Sequence, residues 1–415
     1  MSGSYGDKKQ PLEGLVVLDF TRYLPGPVCT MLLADYGAEV LKIEDTRAGD
    51  PTRYVGNASG KGALFRQLNR NKKSIAIDLK DETGKEVIKK MAARADLLVE
   101  GFRPGVMKRL GLCYNELSKV NRQLVYVSIS GYGQKGLYRD RSGHDLNYSA
   151  LTGLLDLSAA ENDPPVMPAV QIADIGGGSL MALNGILIAL FKRDREGKGD
   201  FVDVSMARGL LPFLTYPASG LSESGELPRK GRGMITGAFA CYNLYETADS
   251  KYMSLGALEP EFWQRFCEAV GKPEWVSRQF AEENRAELIE EVQELFRTKS
   301  RREWEEIFVE IDACCDPVLD LNEAMEHPLA WQEGYWLDLP DGDFKGKNDD
   351  HGISREEYER KTGEKMPGFP LLFSGQGGAL RLGPPGHGEH TAEVLRDFGF
   401  DNSVVENLRQ NKVIK

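Results

Sequence analysis

The stretch "GLVVLDFTRYLPGPVC", residues 14–29, decides the fold class of this chain. A short β-branched apolar run after a glycine is typical of a buried strand, and Pro27 then suits the first turn of a helix that Gly37 ends. Further strands are predicted outward from it, in "EVLKIE" (39–44), "SIAIDL" (74–79), "DLLVEGF" (96–102) and "LVYVSISGYG" (124–133). Predicted helices separate these strands, as in "DETGKEVIKKMAARA". The alternation predicts an α/β fold with a parallel sheet and helices on its faces.

The same opening stretch limits which kinds of ligand the sheet can bind. The first strand runs into "TRYLPGPVC" rather than into G-x-G-x-x-G, so the glycine turn that lets a pyrophosphate approach a helix N-terminus is missing. This excludes NAD and FAD. The chain also lacks the G-x-x-x-x-G-K-[ST] loop of nucleotide triphosphatases and the G-x-S-x-G elbow of α/β hydrolases.

The pattern changes after the fifth predicted strand. Residues 145–192 are predicted to be helical, with "GGGS" (176–179) opening the second helix, and "DFVDVS" (200–205) is a further strand. Short strands are predicted within 235–257 and amphipathic helices over 260–311. The charged, glycine-rich segment 340–368 is predicted to be a surface loop or an insertion.

Composition narrows the class of partner and compartment. The chain has 415 residues and a net charge of −11, which makes it a poor nucleic-acid binder. Its six cysteines form neither a metal-ligand spacing nor a disulfide framework, and the four histidines other than His144 lack a paired ligand spacing. We therefore expect a reducing compartment and no metal site.

Targeting signals are not evident in the sequence. "MSGSYGDKKQ" at the start has no apolar signal segment, and "VIK" at the end is not an S-K-L peroxisomal address. The apolar run "LMALNGILIALF" (180–191) is too short to span a bilayer and fits a buried helix. We expect a cytoplasmic protein without membrane partners.

Basic residues gather near predicted strand ends, where ligands of parallel sheets bind. Five of them are candidate binders of a phosphate or carboxylate group: Arg70, Lys72, Lys73, Arg103 and Arg109. For each of these residues alone, solvated surface charge explains the position as well.

Acid–base candidates come from three other segments. Asp174 precedes three glycines, where it is either a helix N-cap or a reactive carboxylate beside exposed backbone N–H groups. Glu259, in "LGALEPEFW" (255–263), is either a cap or an acid–base group. His144, in "SGHDLNY" (142–148), is either a packed histidine or a catalytic base.

Ordered motifs along nearly the whole chain, from Leu12 to about Leu395, resemble those of the family III CoA-transferases and racemases. They are "GLVVLDFTRYLPGP", "LADYGAEVLKIE", "LNRNKKSIAIDLK", "EGFRPGVMKRLGL", "SISGYGQKGLY", "GKGDFVDVSM" and "GEHTAEVL". The resemblance implies a homodimer of two interlocked ring-like chains and an acyl-CoA thioester substrate, with CoA bound as part of the substrate and no other cofactor. It also implies a Rossmann-like CoA-binding large domain (1–200 and 325–415), and a linker with a smaller α+β domain (201–324).

The resemblance is closest to the alpha-methylacyl-CoA racemases. Their G-H-D-x-N-Y, D-x-G-G-G-S and G-A-x-E-P-x-F motifs match Gly143 to Tyr148, Asp174 to Ser179 and Gly256 to Phe262. This implies that His144 and Asp174 exchange protons with the carbon α to the thioester, one on each face, while Glu259 orients His144. The alternative is a CoA-transferase with Asp174 as nucleophile, which needs no histidine at position 144.

The resemblance assigns further contacts to the substrate. Asp145 and Tyr148 would face the CoA moiety, and the basic cluster would hold its phosphates. Backbone N–H groups of the glycine-rich turn, at Gly176 and Gly177, would stabilise the enolate oxygen.

Overall fold

The protein, seen in a computed structural model, divides into two compact units. The structure describes residues 9–55, 62–339, 364–374 and 376–415. The first unit contains the chain up to Thr152, Val170–Leu211 and His327–Lys415; the second contains Gly153–Ala169 and Pro212–Glu326.

A six-stranded sheet forms the centre of the first unit. Its strands are β1 (Val16–Phe20), β2 (Glu39–Glu44), β3 (Lys72–Ala76), β4 (Leu97–Glu100), β5 (Val125–Ser130) and β6 (Phe201–Ser205). They pair in the order β3-β2-β1-β4-β5-β6, and each pairing is parallel. The predicted α/β class with a parallel sheet is confirmed. The strand order reverses between β1 and β4, and ligands of open α/β sheets bind outside the carboxyl ends of the strands at such a point.

Helices cover the sheet. Those of the first unit are α1 (Pro25–Asp35), α2 (Ala63–Leu68), α3 (Glu82–Ala92), α4 (Val106–Arg109), α5 (Tyr114–Val120), α6 (Asp145–Leu151), α8 (Met181–Glu196), α14 (Pro328–Gln332), α15 (Thr391–Asp397) and α16 (Asn402–Gln410). Buried apolar residues of β1–β5, α3, α15 and α16 form one continuous core. The sequence "TRYLPGP" folds tightly, because a Cβ on Gly26 would lie 2.1 Å from the Cβ of Thr21.

A π-helix, Ile172–Leu180, runs directly into α8. The prediction that "GGGS" opens this helix is wrong, because the helix begins four residues earlier and the glycines lie inside it. Together Ile172–Glu196 span 25 residues and are apolar enough, by length and composition alone, to cross a membrane. This is weak evidence, since core helices pass the same test, and α8 packs against α1, β5 and β6.

The second unit combines a small sheet with helices. Strands β7 (Tyr242–Glu246), β8 (Tyr252–Gly256) and β9 (Cys315–Pro317) pair antiparallel. Its helices are α7 (Leu154–Leu157), α9 (Thr215–Ser224), α10 (Pro260–Ala269), α11 (Arg285–Phe296), α12 (Arg301–Phe308) and α13 (Leu321–Glu326). An aromatic core joins the three strands to α10, α11 and α12, with the rings of Phe266 and Phe308 stacked 5.7 Å apart. The short strands and amphipathic helices predicted for this region are both present.

Two boundaries differ from the predicted ones. Residues 201–205 form β6 of the central sheet, although we assigned them to the linker and small domain; their β-branched run pairs with β5. Residues 153–169 belong to the second unit rather than to the large domain.

The predicted surface segment 340–368 lies largely outside the described residues. Its end is not a loop, because β11 (Glu364–Pro367) pairs antiparallel with β10 (Trp336–Leu339).

Short 3-10 helices complete the described elements, at Pro51–Arg53, Arg208–Leu214 and Pro273–Arg278.

Candidate active site

His144 is the N-cap residue of α6, at the end of the loop that follows β5. Its backbone is extended (φ −126°, ψ 176°), and its N–H donates to Asn147 Oδ1 at 3.0 Å. The side chain is exposed rather than packed in the core. The structure therefore favours an available imidazole over a buried structural histidine.

Tyr148 holds the loop that leads to His144. Its ring packs against two glycines, because a Cβ on Gly131 would lie 2.5 Å, and one on Gly143 2.8 Å, from Tyr148 Cε1. The phenol donates to the carbonyl oxygen of Gly143, and burial raises its pKa to about 12. Tyr148 is 5% exposed and its hydroxyl is bonded to Gly143, so the structure gives no support to the predicted contact with CoA.

Asp145 joins α6 to the π-helix. One oxygen of its carboxylate accepts a hydrogen bond from the backbone N–H of Asp174 at 2.9 Å. This N–H belongs to the first turn of the π-helix and has no partner within the helix. This bond joins the segments that carry His144 and Asp174 and uses one oxygen of Asp145, so the predicted contact of Asp145 with CoA stays a prediction.

Asp174 is a half-buried carboxyl with an unusual protonation equilibrium. Burial raises its pKa from 3.8 to about 6; the negative charge of Asp145 adds to the rise, and His144 opposes it. A carboxyl with this pKa exists in both protonation states near neutral pH, as general acid–base catalysis requires. His144 lies close enough to Asp174 to act on the pKa of its carboxyl, so the structure brings these two predicted residues together.

The glycines after Asp174 serve close packing. A Cβ on Gly177 would lie 2.4 Å from the carbonyl oxygen of Met206, and one on Gly209 would lie 2.0 Å from that of Gly177. Gly176 is also buried. Because Gly176 and Gly177 lie within the π-helix rather than ahead of it, the structure does not support their N–H groups as free donors to a substrate oxygen.

Ser179 ties the π-helix to the start of α1. Its hydroxyl lies 2.6 Å from the carbonyl oxygen of Pro25 and 3.2 Å from that of Asp174. The residue is fully buried. This contact fixes the backbone of Asp174 relative to the first turn of α1, a connection that sequence reasoning missed.

Glu259 lies in the second unit, as the residue that precedes α10. Its carboxylate is exposed and, within the described part of the chain, accepts no hydrogen bond from the N–H groups at the start of α10. Capping therefore does not account for a glutamate at this position.

Two predicted phosphate binders, Arg70 and Lys72, are interior residues. Arg70 is 1% exposed and forms an ion pair with Asp35, with Nη2 at 2.7 Å from Oδ2. Lys72 is fully buried, and its ammonium lies 3.2 Å from the carboxylate of Asp19. Both assignments to CoA are wrong, because neither charge reaches solvent and each is balanced inside the protein.

Lys73 is partly exposed, but two carboxylates already surround it. Its ammonium lies 3.0 Å from Glu39 and 3.1 Å from Glu393. An anionic ligand would have to compete with both, so the structure does not support Lys73 as a phosphate binder.

Exposed arginines surround the carboxyl end of β4. Arg103 and Arg109 follow this strand, as the sequence suggested, and both are exposed. A Cβ on Gly105 would lie 3.5 Å from Arg109 Nη1 and from Arg139 Nη2, so these two guanidinium groups meet over that glycine. Sequence reasoning missed Arg139, although "YRDRS" follows a predicted strand end as the other arginines do.

Arg22 connects the loops that follow β1 and β4, on the two sides of the point where the strand order reverses (the switch point). Its guanidinium lies 5.2 Å from the ring centre of Phe102, in the loop after β4, while its own residue lies in the loop after β1. The carboxylate of Asp45 is 3.9 Å away and only weakly compensates its charge. Arg22 is therefore another available cation at this edge of the sheet, which sequence reasoning also missed.

Comparisons with known proteins agree with this architecture. The model of CoA-transferase family III matches residues 12–391. Alpha-methylacyl-CoA racemase of Mus musculus is 35% identical over 413 residues, covering 97% of this chain and 97% of the racemase. Succinyl-CoA--D-citramalate CoA-transferase of Chloroflexus aurantiacus is 35% identical over 417 residues, covering 98% of each chain. A crystal structure of a CAIB/BAIF family protein from Brucella suis matches with a TM-score of 0.79 and 26% identity, covering 94% of this chain and 100% of that one.

Proposed function

We propose that this chain, which belongs to CoA-transferase family III, is a racemase. It would invert the α-carbon of 2-methylacyl-CoA thioesters by 1,1-proton transfer. The family predicted from the ordered motifs is confirmed. Equal identity to a racemase and to a transferase leaves the choice of reaction to the residues of the site.

The pairing of His144 with Asp174 carries this proposal. Inversion requires one group to remove the α-proton from one face while a second group returns a proton to the other face. An exposed imidazole and a carboxyl with a pKa of about 6 meet this requirement at neutral pH. A transferase needs only the carboxylate.

The two groups exchange roles between the two epimers. For one epimer, His144 takes the α-proton and protonated Asp174 supplies the new one; for the other, Asp174 is the base and His144 the acid. The hydrogen bond from Asp174 N–H to Asp145 sets the spacing of the two segments. The role of Glu259 in orienting the imidazole of His144, which the resemblance implies, stays a prediction.

The exposed arginines are suited to hold the CoA part of the substrate. Arg103, Arg109 and Arg139 provide guanidinium groups, which bind phosphate through paired hydrogen bonds. They lie beside the switch point of the sheet, where ligands of this architecture bind. CoA arrives as part of the thioester, and the proposed reaction uses no additional cofactor or metal.

A CoA-transferase is the second candidate. The raised pKa of Asp174 makes its ionised form more basic, which also suits a nucleophile that attacks a thioester carbonyl. Hydroxylamine added during turnover would trap an activated Asp174 carboxyl as a hydroxamate, detectable by mass, only in the transferase reaction.

We further propose a cytoplasmic homodimer. Helix α8 leaves Leu187, Ile188 and Phe191 exposed to 44%, 70% and 66%, which is unusual for large apolar side chains and fits coverage by a second copy. Light scattering at micromolar concentration should give twice the mass of one chain; a single-chain mass would contradict the dimer.

Proton exchange tests the racemase directly. We would incubate one epimer of a 2-methylacyl-CoA in deuterium oxide without any acceptor acid. Deuterium at C2 together with the other epimer would support the racemase. Absence of exchange over several acyl chains, with CoA transfer to added carboxylic acids, would support the transferase instead.

A further inference from the structure

A buried carboxyl stands at the carboxyl end of β4, next to the switch point. Glu100 is the last residue of this strand, opposite Phe20 of β1 and Ser128 of β5, and it is 5% exposed. Buried carboxylates are usually paired with a cation. Among the residues that the structure describes, no lysine or arginine pairs with Glu100. The proposed chemistry does not use it either.

Hydrogen bonds satisfy this carboxyl instead. Glu100 Oε2 accepts from the backbone N–H of Phe102 at 2.8 Å, and Oε1 accepts from the hydroxyl of Ser128. Ser128 Oγ in turn accepts from the side-chain amide of Gln134 at 2.8 Å. Every donor points toward Glu100, as an ionised carboxylate requires, because it can only accept.

These bonds join two loops that leave the same edge of the sheet. Phe102 lies in the loop after β4, immediately before Arg103. Gln134 lies in the loop after β5, which leads to His144. The backbone N–H of Gln134 also donates to both carboxylate oxygens of Asp203 on β6, at 3.2 Å each. The carboxyl group of Glu100, through Phe102, Ser128 and Gln134, thus fixes both loops to the central strands.

We propose that Glu100 is a positioning residue that, with Ser128 and Gln134, latches the loop bearing Arg103 to the loop leading into His144. The inference rests on the proposed acyl-CoA function. The latch keeps the group that binds CoA at a fixed distance from the group that transfers the proton. Burial raises the pKa of Glu100 to about 7; the hydrogen bonds of Ser128 and Phe102 oppose this rise and so favour the ionised form.

Reversing the direction of the hydrogen bonds tests the latch. Gln134→Glu places two carboxylates against a single Ser128 proton, so this change alone breaks the connected hydrogen bonds. Glu100→Gln alone is tolerated: the new amide donates to Ser128 Oγ, its oxygen accepts from the N–H of Phe102, and the Gln134 amide turns over so that its oxygen accepts from the Ser128 hydroxyl. In the double variant, the introduced amide donates to Ser128 and the Ser128 hydroxyl turns to the introduced carboxylate at position 134. Glu100→Gln is therefore expected to rescue Gln134→Glu.

The readout is the Kd for CoA by calorimetry, together with kcat, KM and the thermal midpoint. We expect Gln134→Glu to raise the Kd about tenfold, and Glu100→Gln and the double variant to stay within about threefold of wild type. A double variant no better than Gln134→Glu would overturn the latch, since without the latch Glu100→Gln would not rescue the change at position 134. Absence of CoA binding by the wild-type protein would overturn the proposed function, and this inference with it.

Gln134→Ala covers the case in which Glu100→Gln does not fold. It removes the partly exposed end of this hydrogen-bond network and leaves the buried hydrogen bonds of Glu100 intact. We expect the Kd for CoA to rise about threefold; an unchanged Kd would contradict the latch.

Discussion

The backbone N–H of Asp174 donates to the carboxylate of Asp145 at 2.9 Å, which links the first turn of the π-helix to the first turn of α6. The residue before Asp145 is His144. A single hydrogen bond therefore connects the segments of the two proposed acid–base groups, and the charge of Asp145 also raises the pKa of Asp174.

Replacing His144 should make proton exchange specific to one epimer. In a two-base mechanism, Asp174 alone can still remove the proton that faces it. We expect His144→Gln to lower epimerisation 10²- to 10⁴-fold, roughly the contribution of a general acid–base group. Deuterium uptake should persist for only one of the two epimers, as measured by NMR. His327→Gln, at the N-cap of α14, is the control and should keep full activity; equal exchange from both epimers in His144→Gln would contradict the two-base mechanism.

Asp145→Asn should move the pH dependence of the reaction. The asparagine oxygen can still accept the N–H of Asp174, but the negative charge that raises the pKa of Asp174 is lost. In the direction in which Asp174 is the base, kcat/KM should rise with pH through about 6 in the wild type, as the carboxyl ionises. In the variant, this rise should occur at lower pH. In the opposite direction, protonated Asp174 is the acid, so kcat/KM falls as pH rises, and this fall should also move to lower pH. A pH profile that does not change would contradict the coupling.

Gly177→Ala should destabilise the protein and impair catalysis. The added Cβ would lie 2.4 Å from the backbone carbonyl of Met206, which cannot rotate away. We expect a loss of about 2–3 kcal/mol in the free energy of unfolding, in the upper range for overpacking, and a lower kcat because the π-helix shifts. Gly220→Ala in α9 is the matched control, since nothing lies within 4 Å of its added Cβ. Equal stability of the two variants by urea unfolding would refute the close packing.

Arg109→Ala and Arg70→Met should separate ligand binding from stability. Loss of a charged hydrogen bond at Arg109 is expected to raise the Kd for CoA about tenfold. Loss of Arg70 leaves the buried carboxylate of Asp35 without its paired cation and, in the described part of the chain, with only the amide of Asn71 as a side-chain partner, which should lower the free energy of unfolding by about 3–5 kcal/mol. Calorimetry and denaturant titration measure the two effects. Arg302→Ala, at a side chain 87% exposed, should change neither.

Glu44→Gln should lower stability at neutral pH but not in acid. Burial tends to raise the pKa of Glu44, but the hydrogen bonds and charge of Arg53 outweigh it, with Lys42 and Ser74 adding to them, so the pKa falls from 4.5 to about 2. A depressed carboxyl pKa stabilises the folded state above pH 4.5, by about 3 kcal/mol here, and this contribution disappears as pH falls through 2. The difference between variant and wild type in urea titrations should therefore shrink from pH 6 to pH 2. A constant difference would contradict the assignment.

The sequence by itself determined the sheet and pointed to the candidate acid–base groups. Parallel strands and the helices between them follow from local hydrophobic periodicity, which neighbouring residues supply. The motifs that carry His144 and Asp174 are also local, so they could be recognised without coordinates.

Only the tertiary structure decided which cationic side chains are available to an anionic ligand and how the backbone that carries Asp174 is fixed. Arg70 and Lys72 looked like surface charges, because the partners that bury them, Asp35 and Asp19, are 35 and 53 residues away. The π-helix likewise depends on a backbone approach between Gly177 and Gly209, which no local pattern encodes. Ion pairing and close packing are properties of distant residues brought together, and for that reason Arg70 and Lys72 were misassigned while the strands were not.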